Sequence, residues 1–294
     1  MAAQSSMLVS VAMASVCTCA RNMRHNKRRM LKLAWVLCSV RWSNMTVEWL
    51  EIPGYIPKTH NPIHGCTPVS EGCAHCWAKQ MAETRLRGKA GYPQDEPFRV
   101  AVDAQKFDDP RKWKKPHTIF WVDMGDLFHE HVGELWHLRA MDVVRDTPQH
   151  LHFFLTKRPQ RMKCFFECYA GSYIIPDNLW IGVSVENQKR ADERIPVLLR
   201  TPAKHRFLSL EPLLWGLDIM HYLERGLISW IIVGGESGKD CRPMHEEWAV
   251  YVGDQCRAAG VPFYLKQLGG HPDPRHRDKA LLLGKLWKEF PNVG

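Results

Sequence analysis

The chain has 294 residues, 45% of them hydrophobic, with a formal charge of +9 and 10 cysteines. That length suffices for one large core, since a βα barrel uses about 250 residues as a single domain, and the cysteine spacing does not suggest a disulfide framework. The charge excludes a basic face spread over the whole molecule. Residues 1–47 hold no Asp or Glu and carry Arg21, Arg24, Lys27, Arg28, Arg29, Lys32 and Arg41, leaving +2 for the remainder.

Residues 1–44 are expected to form a basic, disordered extension, and 45–294 a single barrel domain. Met1–Ala20 is apolar but lacks the positive start of a secretory signal. Leu31–Val40 is too short to span a membrane. The acid-free, arginine-rich composition resembles a transit peptide, and Met45 offers an alternative initiator. Such an extension would bind nucleic acid only nonspecifically, through phosphates. Thr46–Ile52 is a weak strand candidate, because Pro53, Pro57 and Pro62 interrupt any continuation of it.

Next comes the most informative segment, Gly65-Cys66-Thr-Pro-Val-Ser-Glu-Gly-Cys73-Ala-His-Cys76-Trp77. Three thiolates are soft ligands suited to zinc or to an iron-sulfur cluster. No fourth cysteine follows nearby, so one ligand position is left for something else. In a four-iron cluster that position is an open iron. The alternatives are a structural zinc completed by His64 or His75, or plain buried cysteines.

Six apolar runs follow: Thr118–Val122, Leu151–Leu155, Leu179–Val183, Arg206–Leu210, Trp230–Val233 and Pro262–Leu265. Their composition predicts buried parallel strands. Helical patterns occupy the intervals, at Val132–Arg145, Gln188–Leu199 and Glu246–Ala259. Alternation of this kind predicts an α/β fold, a full or partial (β/α) barrel with mainly parallel strands. After a polar stretch at His271–Lys279, Leu281–Phe290 reads as a last amphipathic helix. Cys164 and Cys168 have helical spacing and read as core or near-surface thiols, and Cys256 falls on a helix face. Cys17, Cys19 and Cys38 lie in the extension. A reducing interior suits an open cluster.

Each strand run ends in polar residues: Asp123 and Asp126, Lys157 and Arg158, Ser184 and Glu186, Ser209 and Glu211, Glu236, Lys266 and Gln267. In a barrel of βα units these ends surround one mouth, where catalytic groups gather. Individual members also suit helix N-caps or loop charges. Glu236, in a Gly-Gly-Glu-Ser turn, and Glu211, before Pro212, sit where neighbours constrain the backbone. Two basic clusters suggest phosphate or base contacts: Lys157, Arg158, Arg161 and Lys163, and Trp113 among Arg111, Lys112, Lys114 and Lys115. An ordinary solvated surface accounts for them equally well.

The cysteine loop followed by an aromatic residue, the α/β pattern and the Gly-Gly-Glu turn resemble radical S-adenosylmethionine (SAM) enzymes. More closely, Asn61–Cys66, Gly125–His129, Leu155–Pro159, Trp180–Glu186, Leu208–Pro212, Trp230–Glu236 and Tyr264–Gln267 resemble the phage Gp37/Gp68 family of unknown function, across about residues 46–270. That family is radical-SAM-like and distantly similar to spore photoproduct lyase. Its cysteine spacing is wider than the usual three-and-two pattern. His60, Trp77 and Cys241 depart from the family pattern. Cys241 adds a thiol that would serve as a hydrogen-atom donor, an extra ligand or nothing at all.

The resemblance implies a [4Fe-4S] cluster on Cys66, Cys73 and Cys76, with SAM on the open iron. It implies reductive cleavage to a 5′-deoxyadenosyl radical, driven by a flavodoxin- or ferredoxin-like one-electron donor. Asp126 or Asp123 is expected to contact the SAM amino group, with Ser184, Glu186 and Trp77 also at the cofactor. Glu236, Glu211, Lys157 and Cys241 are the expected catalytic set. A DNA, RNA or nucleotide substrate and a cytoplasmic setting, inside a phage host or bacterium, complete the expectation. Base chemistry on duplex DNA would require flipping or a single strand. The competing class is a zinc-stabilised nucleic-acid-binding or scaffold protein without SAM chemistry.

Overall fold

The computed structural model describes residues 47–237, 240–269 and 281–293. The basic extension at 1–44 and the polar stretch at 271–279 lie outside the described residues. In chain order, the first strands are β1 (Ile56–His60) and the short β2 (Ile63–His64). Helix α1 (Trp77–Met81) follows, then β3 (Ala101–Val102), α2 (Asp109–Lys112), β4 (His117–Trp121), α3 (Glu134–Asp146) and β5 (Leu151–Thr156). Next are α4 (Pro159–Ala170), β6 (Leu179–Ser184), α5 (Gln188–Arg200), β7 (His205–Leu210), α6 (Met220–Leu223) and β8 (Trp230–Gly234). The chain continues through α7 (Glu246–Ala259), β9 (Phe263–Gln267), β10 (Leu281–Leu282) and β11 (Lys285–Leu286).

Seven parallel strands form one sheet in the order β1-β4-β5-β6-β7-β8-β9. Spatial order follows chain order, so the sheet curls one way into a half-barrel and stays open between β1 and β9. The six expected strands and three expected helices are present, with boundaries shifted by up to two residues. The seventh strand, β1, contains Pro57. An edge strand tolerates a residue without an N–H, because one side of its ladder is free.

Strand alternation separates two cores. Ile181, Val183, Leu208, Leu210, Ile231, Val233, Phe263 and Leu265 pack outward against the helices. Phe153, Trp180, Phe207, Trp230, Ile232 and Tyr264 point inward and meet Trp49, Leu50 and Ile52. The inner group plugs the lower part of the half-barrel with rings: Trp49 lies 5.6 Å from Phe153 and 5.9 Å from Trp230. Above that floor the inward positions turn small or polar, as Gly182, Ser184, Ser209, Gly234 and Lys266. A Cβ on Gly182 would sit 2.6 Å from the Phe207 ring, so glycine lets that ring complete the floor.

Helix ends follow local chemistry. Asn187 caps α5 by accepting from the Arg190 N–H at 3.1 Å. Helix α7 opens with Glu246 and Glu247 and stops at Gly260, whose φ of +67° is the left-handed conformation glycine favours.

The expected C-terminal helix at Leu281–Phe290 is replaced by a hairpin, β10–β11. Leu283 and Gly284 both take positive φ, 52° and 73°, as a tight two-residue turn requires. The chain then runs along β9: the Leu265 N–H donates to Trp287 O at 2.7 Å and the Glu289 N–H to Phe263 O at 3.2 Å. Covering the exposed edge of β9 satisfies backbone groups that a helix here would leave bare. No helix among the described residues is long and apolar enough to cross a membrane.

Candidate functional site

The cysteine loop starts where β2 meets the end of β4. Gly65, at φ +83°, donates its N–H to Met124 O at 2.9 Å. A Cβ on Gly65 would lie 2.0 Å from Arg99 O, and one on Gly125 would lie 2.8 Å from Gly65 O. Two glycines therefore let two backbones touch, and that contact sets Cys66 at the mouth beside Asp126.

Arg158, 8% exposed, fixes this end of the loop. It donates to Cys66 Sγ at 3.3 Å, Asp126 Oδ2 at 3.2 Å, Glu130 Oε2 at 2.6 Å and Thr67 Oγ1 at 2.9 Å. Burial works against the guanidinium charge, but Glu130, Asp126 and Cys66 outweigh it and raise the Arg158 pKa. Burial, then Asp126, push the Cys66 thiol up to about 11 despite Arg158. His129, fully buried, contacts Thr67 Oγ1 at 2.9 Å.

The middle of the loop rests on the end of β6. Ser70 Oγ donates to Glu186 Oε1 at 2.5 Å, and Arg194 Nη1 donates to Glu186 Oε2 at 2.9 Å. A Cβ on Gly72 would fall 2.4 Å from the Glu186 side chain, so glycine permits this stacking. Glu71 accepts from Arg190 at 2.8 Å and from Asn187. The Arg190 contact leads in holding its carboxyl at about 2.

The last part docks on the turn after β8. Glu236, 5% exposed, accepts from His75 Nδ1 at 2.8 Å, and from Arg242 through its backbone N–H at 2.8 Å, Nε at 3.0 Å and Nη2 at 2.6 Å. Arg242 Nη2 also reaches Glu71 O at 3.0 Å. Burial favours the neutral acid, yet Arg242 and His75 bring the Glu236 pKa down to about 2. The loop is thus a strap across the mouth, tied successively to the ends of β5, β6 and β8.

Cys66, Cys73 and Cys76 are all reduced and half-buried. Among the described residues no three His, Cys, Asp or Glu side chains converge as a single-ion site. A four-iron cluster demands less convergence, because each thiolate binds a different iron. The two histidines considered for a zinc site each spend one ring nitrogen, His75 Nδ1 on Glu236 and His64 Nε2 on Gly91 O, which leaves the other nitrogen of each for a metal. By donor chemistry the three thiols suit a cluster and a zinc ion alike.

Residues 44–291 match the family described as Protein of unknown function (DUF5131). The chain belongs to that family. No curated protein and no solved structure matches it.

In this DUF5131 chain the expected site residues divide into two groups. Asp126 is consumed structurally: besides Arg158 it accepts from the Phe128 N–H at 2.9 Å, Thr156 Oγ1 at 2.7 Å and the Lys157 N–H at 3.3 Å. Glu186 accepts one hydrogen bond on each oxygen, and Glu236 accepts three on Oε2 and one on Oε1. Asp123 accepts from Asn61 Nδ2, and burial raises its pKa. Glu211 and Lys266 form an ion pair of 2.6 Å on the inner face, each about a quarter exposed. No partner for the Lys157 ammonium is found among the described residues. Ser184 is buried on the inner face, Trp77 is exposed at the start of α1, and Cys241 is half-buried beside Arg242.

The two basic clusters take other roles. Arg158 faces inward, Arg161 binds Val132 O at 3.1 Å and Lys163 pairs with Glu167 at 2.6 Å. Trp113 packs on the outer core near His60, while Arg111 and Lys112 pair with Asp108, Asp146 and Asp109. Cys164 and Cys168 are exposed on α4, and Cys256 is buried in the core with its thiol pushed up to about 12. Sequence reasoning missed the anchoring roles of Arg158, Arg242, His75 and Gly72. The available signal was the dense polar content of the loop itself, whose Ser70, Glu71 and His75 needed partners.

Proposed function

We propose that this chain is a radical SAM enzyme, with Cys66, Cys73 and Cys76 holding a [4Fe-4S] cluster and one iron left for SAM. With one electron from a flavodoxin- or ferredoxin-like donor, such a group would supply reductive cleavage of the SAM S–C5′ bond, giving methionine and a 5′-deoxyadenosyl radical. The observation carrying this reading is the strap: three free, half-buried thiols on one loop across the mouth of a parallel half-barrel.

The chain's own residues then divide the work. Arg158 keeps Cys66 against the rim, and Glu236 with Arg242 hold the segment bearing Cys73 and Cys76. Glu211 and Lys266 present one acceptor and one cationic donor on the inner face. Those two signs match the ammonium and carboxylate of an amino-acid head group. The aromatic floor excludes water beneath them. A nucleic-acid base or nucleotide is the substrate class the resemblance implies, and Lys157, a rim cation with no partner among the described residues, would meet its phosphate.

Iron and sulfide analysis of anaerobically purified protein, with absorption and electron paramagnetic resonance spectra, tests the proposal. The expected result is about four irons per chain. Alanine at any one of the three cysteines should remove most of that iron, whereas Cys241→Ala should keep it. Stoichiometric zinc with no reconstitutable cluster would overturn the reading in favour of the zinc-stabilised scaffold.

A further inference from the structure

We infer that the Gly-Gly-Glu turn is a positioning device for Cys73 and Cys76 that works independently of the anchor on Cys66. Glu236 meets the strap directly through His75 and indirectly through Arg242, which also donates to the Glu71 carbonyl. The Glu236 carboxylate is buried and already accepts four hydrogen bonds, three from Arg242 and one from His75. Three of these fall on Oε2 and one on Oε1, so Oε2 is filled and most of the carboxylate's acceptor capacity is spent on His75 and Arg242.

His75 lies between the two cysteines, separated from Cys73 by Ala74 and directly preceding Cys76. Holding its ring therefore restrains both thiols. Arg242 adds a second hold upstream by donating to the Glu71 carbonyl at 3.0 Å. That carbonyl also accepts the Ala74 N–H at 3.3 Å, closing the short turn that carries Cys73. Gly235 seats the turn itself against the chain after β9: a Cβ there would lie 2.6 Å from the backbone of Leu268 and Gly269.

Cys66 is tied by a separate set of contacts. Its restraints come from Gly65 after β2, Gly125 after β4 and Arg158 after β5. No hydrogen bond among the described residues links Arg158 or Asp126 to Glu236, Arg242 or His75. Opening one anchor therefore leaves the other closed. The catalytic meaning of this division rests on the cluster reading; the division itself does not.

Peptide-resolved hydrogen exchange on the full-length chain, stripped of metal with a chelator, tests the inference. In Glu236→Ala and in Arg242→Ala, exchange at the amides of Cys73 and Ala74 should accelerate at least about tenfold, as expected for losing charge-assisted hydrogen bonds. The Gly65 amide and the β8 amides should keep their wild-type rates. Arg242→Lys, which retains the charge, should restore part of the protection. Unchanged exchange at Cys73 and Ala74 overturns the inference, and so does uniform acceleration that includes Gly65 and β8. A chain that binds no iron can still pass this test, while one that binds a cluster can fail it, so the two proposals fall separately.

Discussion

The floor and the mouth of the half-barrel face the same interior, yet they are built from opposite chemistry. The floor is a nest of rings, with Trp49, Phe153, Trp180, Phe207, Trp230 and Tyr264 buried against one another. At the mouth stand Asp126, Arg158, Glu186, Arg194, Glu236 and Arg242, each tied by charged hydrogen bonds. Apolar contact is nondirectional and gives stability in proportion to area. Charged hydrogen bonds gain little net stability after desolvation but fix geometry. The lesson is a division of labour: the floor holds the sheet together and the mouth aims one loop.

The strongest way to break this comparison is to damage the floor alone. Trp230→Ala removes a fully buried ring and its Nε1–H bond to Glu289 O at 2.9 Å. The expected loss is about 3–5 kcal/mol, read from urea denaturation. Iron content per folded chain should stay unchanged; a selective loss of iron would show that the floor aims the loop too.

Acid provides the second test, because the two kinds of charge in this molecule respond in different windows. Burial lowers His152 to about 3 and His60 to about 4 from an ordinary value of 6.5. Both lie on the outer flank of the sheet, His60 against Trp121 and His152 accepting from its indole at 2.9 Å. Groups kept neutral in this way bind more protons when unfolded. Their contribution is complete above the unfolded pKa of about 6.5 and is lost as pH falls toward 4 and 3. Between pH 6.5 and 5 each histidine should cost about 2 kcal/mol. Glu236 and Glu71, held at about 2, act in a lower window: their contribution is present above the unfolded carboxylate value and fades toward pH 2. Denaturation midpoints should therefore fall at pH 5, while exchange protection of the strap in folded molecules persists. Strap opening at pH 5 without loss of global stability would reverse the assignment.

The smallest effect on stability is expected inside the mouth. Glu211→Gln weakens a partly exposed ion pair and should cost less than about 1 kcal/mol. Calorimetric SAM titration of the reconstituted protein should nevertheless weaken about tenfold, the cost of losing one charge-assisted contact. Wild-type SAM affinity would remove Glu211 from the proposed site.

Much of this architecture is legible in the sequence. Buried parallel strands announce themselves as unbroken apolar runs, and α7 has the expected bounds because both of its ends carry local signals. Strand β1 is hidden by its proline, and the C-terminal hairpin by a leucine pattern that equally suits a helix. What decides that segment is the open edge of β9, a feature of the sheet and not of the segment. At the mouth, sequence shows which side chains arrive but not which neutralise one another. Asp126 reads as a ligand contact until Arg158 and Thr156 are seen to claim it, and Arg158 reads as surface charge until its acceptors are found 28 to 92 residues away.

The Glu236 anchor also sets a timetable for making the protein. His75 and the carboxylate that holds it are 161 residues apart in the chain. At about 5–20 residues per second, a ribosome needs roughly 8 to 32 seconds to add that length. Throughout this interval Cys73 and Cys76 have emerged, or are emerging, without their restraint. The thiols made first are among the last parts of the mouth to be set, so their protection from oxidants and stray metals during synthesis has to come from the cell and not from the fold.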